Sequence, residues 1–328
     1  MKDFFRGIAI VTAALLLFPA VPYIVGAIFE PRETIEAVSD AVVVPKSPKY
    51  GTVTEVNVYD VVSDRVLTLT AEEYIASALA ALLSPESDPE LLKAQAVLMY
   101  TYILRRRLDE SASPTPELSG CDVSSDFSKY PRLVLGDGLS YDLEPFREAA
   151  RAAVGTYCAY GGEPITVAYC YSAGTSTESA ETVLGIDLPY LKSVPSGEPD
   201  AYLTTVTYTS DEVFARLTTT PDGYVLLGDA SGWITEKETA PDGYVKSVYL
   251  DSRFIVSGAE IARLLNLPSA KFTYRYSSVT DRFTFTVSGS GSLCGMSQRG
   301  AGFLAAEGYN YKEILLHYFS GIEIVSPE

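Results

Sequence analysis

From Glu72 to Arg107 the apolar positions recur with a helical period, which predicts two helices joined by a tight turn. Tyr74, Ile75, Ala78, Leu79, Leu82 and Leu83 fall at i, i+1, i+4 and i+5, the spacing of one buried helical face. Ser84-Pro85 and Ser87-Asp88-Pro89 interrupt the pattern. Asp88 suits the N-cap of a second helix, with Pro89 at its first position and Glu90 in its first turn. That helix carries Leu91, Leu92, Gln95, Ala96 and Met99, and it is expected to end in Arg105-Arg106-Arg107, where positive charge complements the helix dipole.

The same reading places the other elements. Thr52 to Val58 and Val61 to Thr70 alternate as a hairpin does. Residues 109–140, rich in Ser, Pro, Asp and Gly, read as a long surface loop. Glu144 to Val154 is a short helix, followed by a hairpin that turns at Gly161-Gly162. Between Asp200 and Asp251 lies a Tyr/Thr/Val-rich β region with two Pro-Asp-Gly-Tyr turns, at 221–224 and 241–244. Ser257-Gly258 opens a helix to Leu265, and strands follow around Phe272–Ser277 and Arg282–Val287. Asn310 caps a last helix, with Glu313 at the reciprocal capping-box position and Ile314, Leu315 and Tyr318 inward. The expected fold class is α+β, mixed sheets with helices.

At the start of the chain Gly7 to Phe29 is an uncharged, mostly apolar run of 23 residues. As a helix it is about 34 Å long, against a hydrocarbon core of ~30 Å. Lys2 and Arg6 ahead of it favour a cytoplasmic N-terminus. A cleaved signal peptide is the rival reading. The run is longer than the usual h-region and lacks a small-x-small exit, which favours an uncleaved anchor. The organisation expected is an anchor at 1–29, a proline-bearing linker at 30–50, and an extracytoplasmic domain at 51–328 in the cell membrane's outer space.

The formal net charge of -17 over 328 residues argues against nucleic acid, whose phosphates need clustered Lys and Arg. The 23 tyrosines suit half-buried strands and carbohydrate contacts alike. The four cysteines, Cys121, Cys158, Cys170 and Cys294, share no C-x-x-C spacing, so no structural zinc site is indicated. If Tyr160 faces Glu163 across the hairpin, Cys158 and Cys170 stand roughly 16 Å apart and should not be bridged.

Three separated blocks carry a family resemblance. Glu90 to Val97, followed by Thr101-Tyr102, resembles EALKAQAV…RTY. Tyr169 to Glu178, continuing through Leu188 to Val194, is similar to YHSTSGGxTE…DLPYLRSV. Gly289 to Ala301 is similar to GWGHGVGMSQxGA. In this order they resemble the stage II sporulation protein D family, over most of residues 51–325. That resemblance implies a cleft domain, a peptidoglycan substrate, lytic transglycosylase chemistry, a sporulation setting and an amidase partner.

The implied chemistry needs one carboxylic acid, which protonates the glycosidic oxygen and then takes the proton of the muramyl 6-hydroxyl. Such an acid normally sits in an apolar pocket that keeps it protonated. The family carries this Glu at the end of the first helix of the pair, a position that aligns with Leu82 here. Glu86, four residues on, is the fallback candidate. The family's Arg before Thr-Tyr falls on Tyr100, and its two motif histidines fall on Cys170 and Ser292. Clostridial relatives add a zinc site, of which only Cys121 remains, so no metal and no cofactor are expected. The polar lining persists: Lys93, Gln95, Ser172, Gly174, Thr177, Tyr190, Lys192, Ser193, Gly295, Ser297 and Gln298 match family positions, Lys192 replacing an Arg. Ser, Thr and Gln offer sugar hydroxyls paired donors and acceptors, Lys a carboxylate partner, and Tyr190 a ring face. The expectation is a glycan-binding protein of doubtful catalytic power. The alternatives are an active transglycosylase using Glu86 and a non-enzymatic scaffold for an amidase.

Overall fold

The computed structural model describes residues 43–45, 50–126, 128–134, 143–219 and 223–327. The expected anchor at 1–29 and most of the linker lie outside these residues. Among the described residues no helix is long and apolar enough to cross a membrane. The described residues all belong to one compact unit.

A short strand β1 (Val43–Pro45) precedes the hairpin of β2 (Glu55–Asp60) and β3 (Arg65–Thr70), in which Glu55 faces Thr70 and Asp60 faces Arg65. Thr70 ends the hairpin and caps α1 (Ala71–Leu82). Its hydroxyl accepts from the Glu73 N–H at 3.1 Å, and the Glu73 carboxylate accepts from the Thr70 N–H at 2.8 Å. Tyr74, Ile75, Ala78 and Leu79 are fully buried, as their spacing predicts. Asp88 then caps α2 (Pro89–Ala112) by accepting from the Glu90 N–H at 2.8 Å.

The second helix runs past its expected end at Arg107. Arg105 pairs with Asp109 at 2.7 Å and Arg106 with Glu110, both at i,i+4, so the arginines extend the helix through side-chain pairs rather than closing it. The expected surface loop at 109–140 is likewise corrected. Leu118, Cys121 and Val123 are buried, and β4 (Val123–Ser124) pairs in parallel with β2. Asp122 holds the segment down, accepting from Arg107 Nε at 2.7 Å and from the Asn57 N–H at 2.8 Å. A polar composition concealed four apolar side chains with somewhere to go, Leu133 being the fourth.

Helix α3 (Glu144–Ala153) packs on both α1 and α2. Strands β5 (Tyr157–Tyr160) and β6 (Glu163–Pro164) form the expected hairpin with Tyr160 opposite Glu163, and all four cysteines are buried free thiols. Then follow β7 (Tyr169–Cys170), α4 (Ala180–Leu184), β8 (Leu203–Thr209), α5 (Ser210–Thr218), β9 (Ile234–Thr239), β10 (Val245–Leu250), β11 (Phe254–Ser257) and α6 (Gly258–Leu264). The chain closes with β12 (Phe272–Ser277), β13 (Arg282–Ser288), β14 (Met296–Ser297), α7 (Gln298–Ala306), α8 (Tyr311–Tyr318) and β15 (Glu323–Ser326). Asn310 and Glu313 form the expected capping box of α8, which buries Ile314, Leu315 and Tyr318. The first Pro-Asp-Gly-Tyr turn falls largely outside the described residues.

Two antiparallel sheets, β11-β10-β9 and β12-β13-β8, enclose an apolar cluster with α5 and α6. Phe283, Phe285 and Val287 alternate with Thr284 and Thr286 along β13, and the three apolar residues are buried. Trp233 stacks on Phe283 with ring centroids 6.2 Å apart. Truncating Phe285 to Ala is expected to lower unfolding free energy by about 3–5 kcal/mol, whereas Thr286→Ala on the other face changes it by ~0.5 kcal/mol or less. Urea midpoints read both, and equal effects would contradict the assigned facing.

Candidate functional site

The structure brings the three sequence blocks together. Strand β7 of the second block pairs in parallel with β14 of the third, Tyr169 facing Met296 and Cys170 facing Ser297. Single bridges join Ser172 to Ser290 and Glu178 to Cys294. The first block enters through Gln95 on α2, whose Oε1 accepts from Gln298 Nε2 at 3.1 Å. Gly295 adopts φ +76°, and a Cβ there would lie 2.0 Å from the Ala168 carbonyl oxygen, so the close strand pairing admits only glycine.

At the centre is Glu198, a residue that sequence reading did not single out. Its side chain is fully buried. One carboxylate oxygen accepts from the Ala173 N–H at 2.9 Å and from Ser297 Oγ at 2.7 Å. The other accepts from Ser172 Oγ at 2.6 Å and Arg299 Nη1 at 2.7 Å. Arg299 also forks onto Asp200 at 2.9 and 3.1 Å. Asp200 first, then Glu198, hold the guanidinium further above its ordinary range. A buried carboxylate with four donors is the arrangement that offsets its lost hydration. The available signal was an acid in Ser196-Gly197-Glu198-Pro199 with an Arg inside the third block.

Most of the predicted lining faces inward. Gln95, Ser172, Thr177, Ser297 and Gln298 are buried, with exposures of 4% or less. Thr177 Oγ1 accepts from the Val194 N–H at 2.9 Å, and Ser193 Oγ donates to the Thr177 carbonyl at 2.6 Å. Gly174 takes φ +70° against Ser288 and Ala201. The Tyr190 hydroxyl accepts from the Thr166 N–H at 3.0 Å, and its ring lies 5.4 Å from that of Tyr160. Lys192 is exposed and paired with Asp187 at 2.6 Å. His317, buried enough that its pKa is lowered, bonds the Pro195 carbonyl at 2.7 Å in a structural role.

Lys93 stands elsewhere, in a cleft of about 350 Å³ between the α1–α2 turn and α3, lined by Pro85, Ser87, Leu92, Lys93, Pro145 and Glu148 among others. Its ammonium pairs with Glu90 at 2.9 Å, which raises its pKa, and Glu90 accepts from the Tyr311 N–H at 2.8 Å. Leu82 ends α1 half-buried. Glu86 lies in the turn between the cleft residues Pro85 and Ser87, exposed to water, its N–H directed at Ser84 Oγ. Among the described residues no group of three or more His, Cys, Asp or Glu is placed to hold a metal.

Replacing Glu198 by Gln keeps its shape and removes its charge. The substitution is expected to destabilise the fold by about 3 kcal/mol, since Arg299 loses its buried partner and the new amide meets donors. Chemical denaturation measures this, with Arg299→Met in the same background recovering part of the loss. A change under ~1 kcal/mol would contradict the central role given to Glu198.

The model of the family described as "Stage II sporulation protein" matches residues 59–133. Stage II sporulation protein D of Bacillus subtilis (strain 168) is 30% identical over 339 aligned positions, covering 99% of this chain and 96% of that protein. The protein of the same name from Bacillus amyloliquefaciens is 30% identical, over 82% of this chain and 78% of its own. An uncharacterised protein of Brachyspira hyodysenteriae is 28% identical, over 78% and 67%. The match to the Bacillus subtilis protein runs through all three blocks that the fold brings together, and the chain belongs to the stage II sporulation protein D family.

Proposed function

We propose that this sporulation-family protein binds peptidoglycan glycan strands in the cleft beside Lys93 and does not cleave them. What supports the reading is an open cleft bordered by the turn that follows Leu82, a hydrocarbon side chain at the position of the family's acid. The cleft of about 350 Å³ has the size of a ligand site, and it opens at the turn after Leu82, where the resemblance places the proton donor. A leucine transfers no proton. An apolar floor with Lys93 and Glu148 at its edge suits a sugar ring carrying hydroxyl and carboxylate groups. In this reading residues 7–29 anchor the protein in the cell membrane and the domain faces the wall.

One observation favours a second reading, that of an active lytic transglycosylase. Glu86 sits between two residues of the cleft wall, Pro85 and Ser87, within the turn that borders the cleft. It is solvent-exposed, however, without the apolar surround a general acid needs.

Incubating the protein with insoluble peptidoglycan tests both. Co-sedimentation is expected, with no anhydromuramyl product by mass spectrometry. Lys93→Ala is expected to weaken sedimentation about tenfold, or ~1.4 kcal/mol. Anhydromuramyl product that vanishes in Glu86→Gln would establish the enzyme instead. Neither sedimentation nor product would leave a scaffold for an amidase partner.

A further inference from the structure

The second Pro-Asp-Gly-Tyr turn meets the second sequence block in a buried charged cluster. The Gly243 N–H closes the turn on the Ala240 carbonyl at 2.9 Å, and the Val245 N–H continues to the Ala270 carbonyl at 3.0 Å. Lys271 Nζ then lies 3.4 Å from Glu178 Oε1 and 3.5 Å from Asp242 Oδ2. The Glu178 side chain is 3% exposed and that of Lys271 10%, while Asp242 at 28% opens the cluster to water on one side. Two carboxyls, one of them buried, thus face a single ammonium, and the Asp242 carboxylate beside it raises the pKa of Glu178. The other titratable groups facing Glu178 are Tyr244, from the turn, and Cys294, from the third block. Burial raises the pKa of the Tyr244 hydroxyl and takes the Cys294 thiol up to about 11, so both are neutral near pH 7.

We propose that Glu178, Asp242 and Lys271 form a proton-held latch that ties the 240–244 turn, and the β9–β11 sheet behind it, to the loop of the second block. The cluster balances one ammonium against one carboxylate while the other carboxyl stays protonated. Removing the proton leaves two buried negative charges against a single positive one. Burial first, then Asp242, push Glu178 up to about 8. A glutamate released from the cluster titrates near its ordinary value of about 4.3. Opening the latch between these values therefore expels a proton. The closed state is favoured most on the acid side, weakens as pH rises, and has lost this contribution above about pH 8. Asp242, lowered despite its burial by the Glu178 hydrogen bond and Lys271, acts in the opposite sense only below the ordinary carboxylate range. The latch shares no residue with the Lys93 cleft, so its failure leaves the glycan reading untouched.

Hydrogen exchange on the full chain tests the latch. The reporters are the amides of Gly243 and Val245 in the turn and of Glu178, which donates to the Leu293 carbonyl at 2.8 Å. Protection factors, with the intrinsic base-catalysed rate divided out, are expected to fall by up to about tenfold per pH unit between roughly pH 6 and pH 8, then level off. In Glu178→Gln the fall is expected to disappear. In Asp242→Asn, where the repelling charge is gone, it is expected to end at lower pH. A flat profile in the unsubstituted protein overturns the proposal, as does a fall that persists unchanged in Glu178→Gln. Should that variant not fold, an unchanged profile in Asp242→Asn, or a Glu178 carboxyl titrating at its ordinary value by carbon NMR, has the same force.

Discussion

The Glu198 carboxylate is where the second and third sequence blocks meet, and the need to satisfy it constrains both. A charge taken fully out of water loses several kcal/mol of hydration unless donors replace the water. Here they come from Ser172 and Ala173 on the loop after β7 and from Ser297 and Arg299 at the start of α7. The loop and the helix start therefore hold their shapes together. Ser297 has a further task, since its hydroxyl also accepts from the Gly300 N–H at 3.2 Å as the N-cap of α7. That helix packs on α2, and Gln298 in its first turn reaches Gln95, so the constraint on Glu198 extends into the helical layer.

This arrangement changes what the family's polar residues can be asked to do. Ser172, Thr177, Ser297 and Gln298 look from sequence like the lining of a sugar groove. In the fold Ser172 and Ser297 donate to Glu198, Gln298 donates to Gln95, and Thr177 accepts from the Val194 N–H. These bonds hold the loops in place, and an open cleft lies apart from them along α2 and α3, at the turn that follows Leu82. Lys93 belongs to both descriptions, because its neighbours Leu92 and Ala94 are core while its ammonium reaches the cleft.

Legibility from sequence followed the locality of the interactions. The paired helices, the caps at Asp88 and Asn310, and the strand pair Phe272–Ser277 and Arg282–Ser288 depend on neighbours within a few residues, and each was readable. Family resemblance supplied the three blocks, though not how they touch. Glu198 was missed because its partners lie about 25 and 100 positions away, and no local pattern marks an acid about to be buried. The 109–140 segment misled for a related reason, since Asp122 draws on Arg107 and Asn57 to fasten a stretch whose composition resembles open loop. The second Pro-Asp-Gly-Tyr turn was recognised as a turn, but its aspartate's partners were beyond reach.

The central claim is that the cleft after Leu82 holds a glycan and leaves it whole. Backbone NMR of the protein with a purified peptidoglycan tetrasaccharide tests that claim most directly. The claim predicts saturable shifts concentrated at residues 84–93 and 144–149, with the sugar intact after prolonged incubation. Shifts centred elsewhere, or the appearance of an anhydromuramyl end, would contradict it.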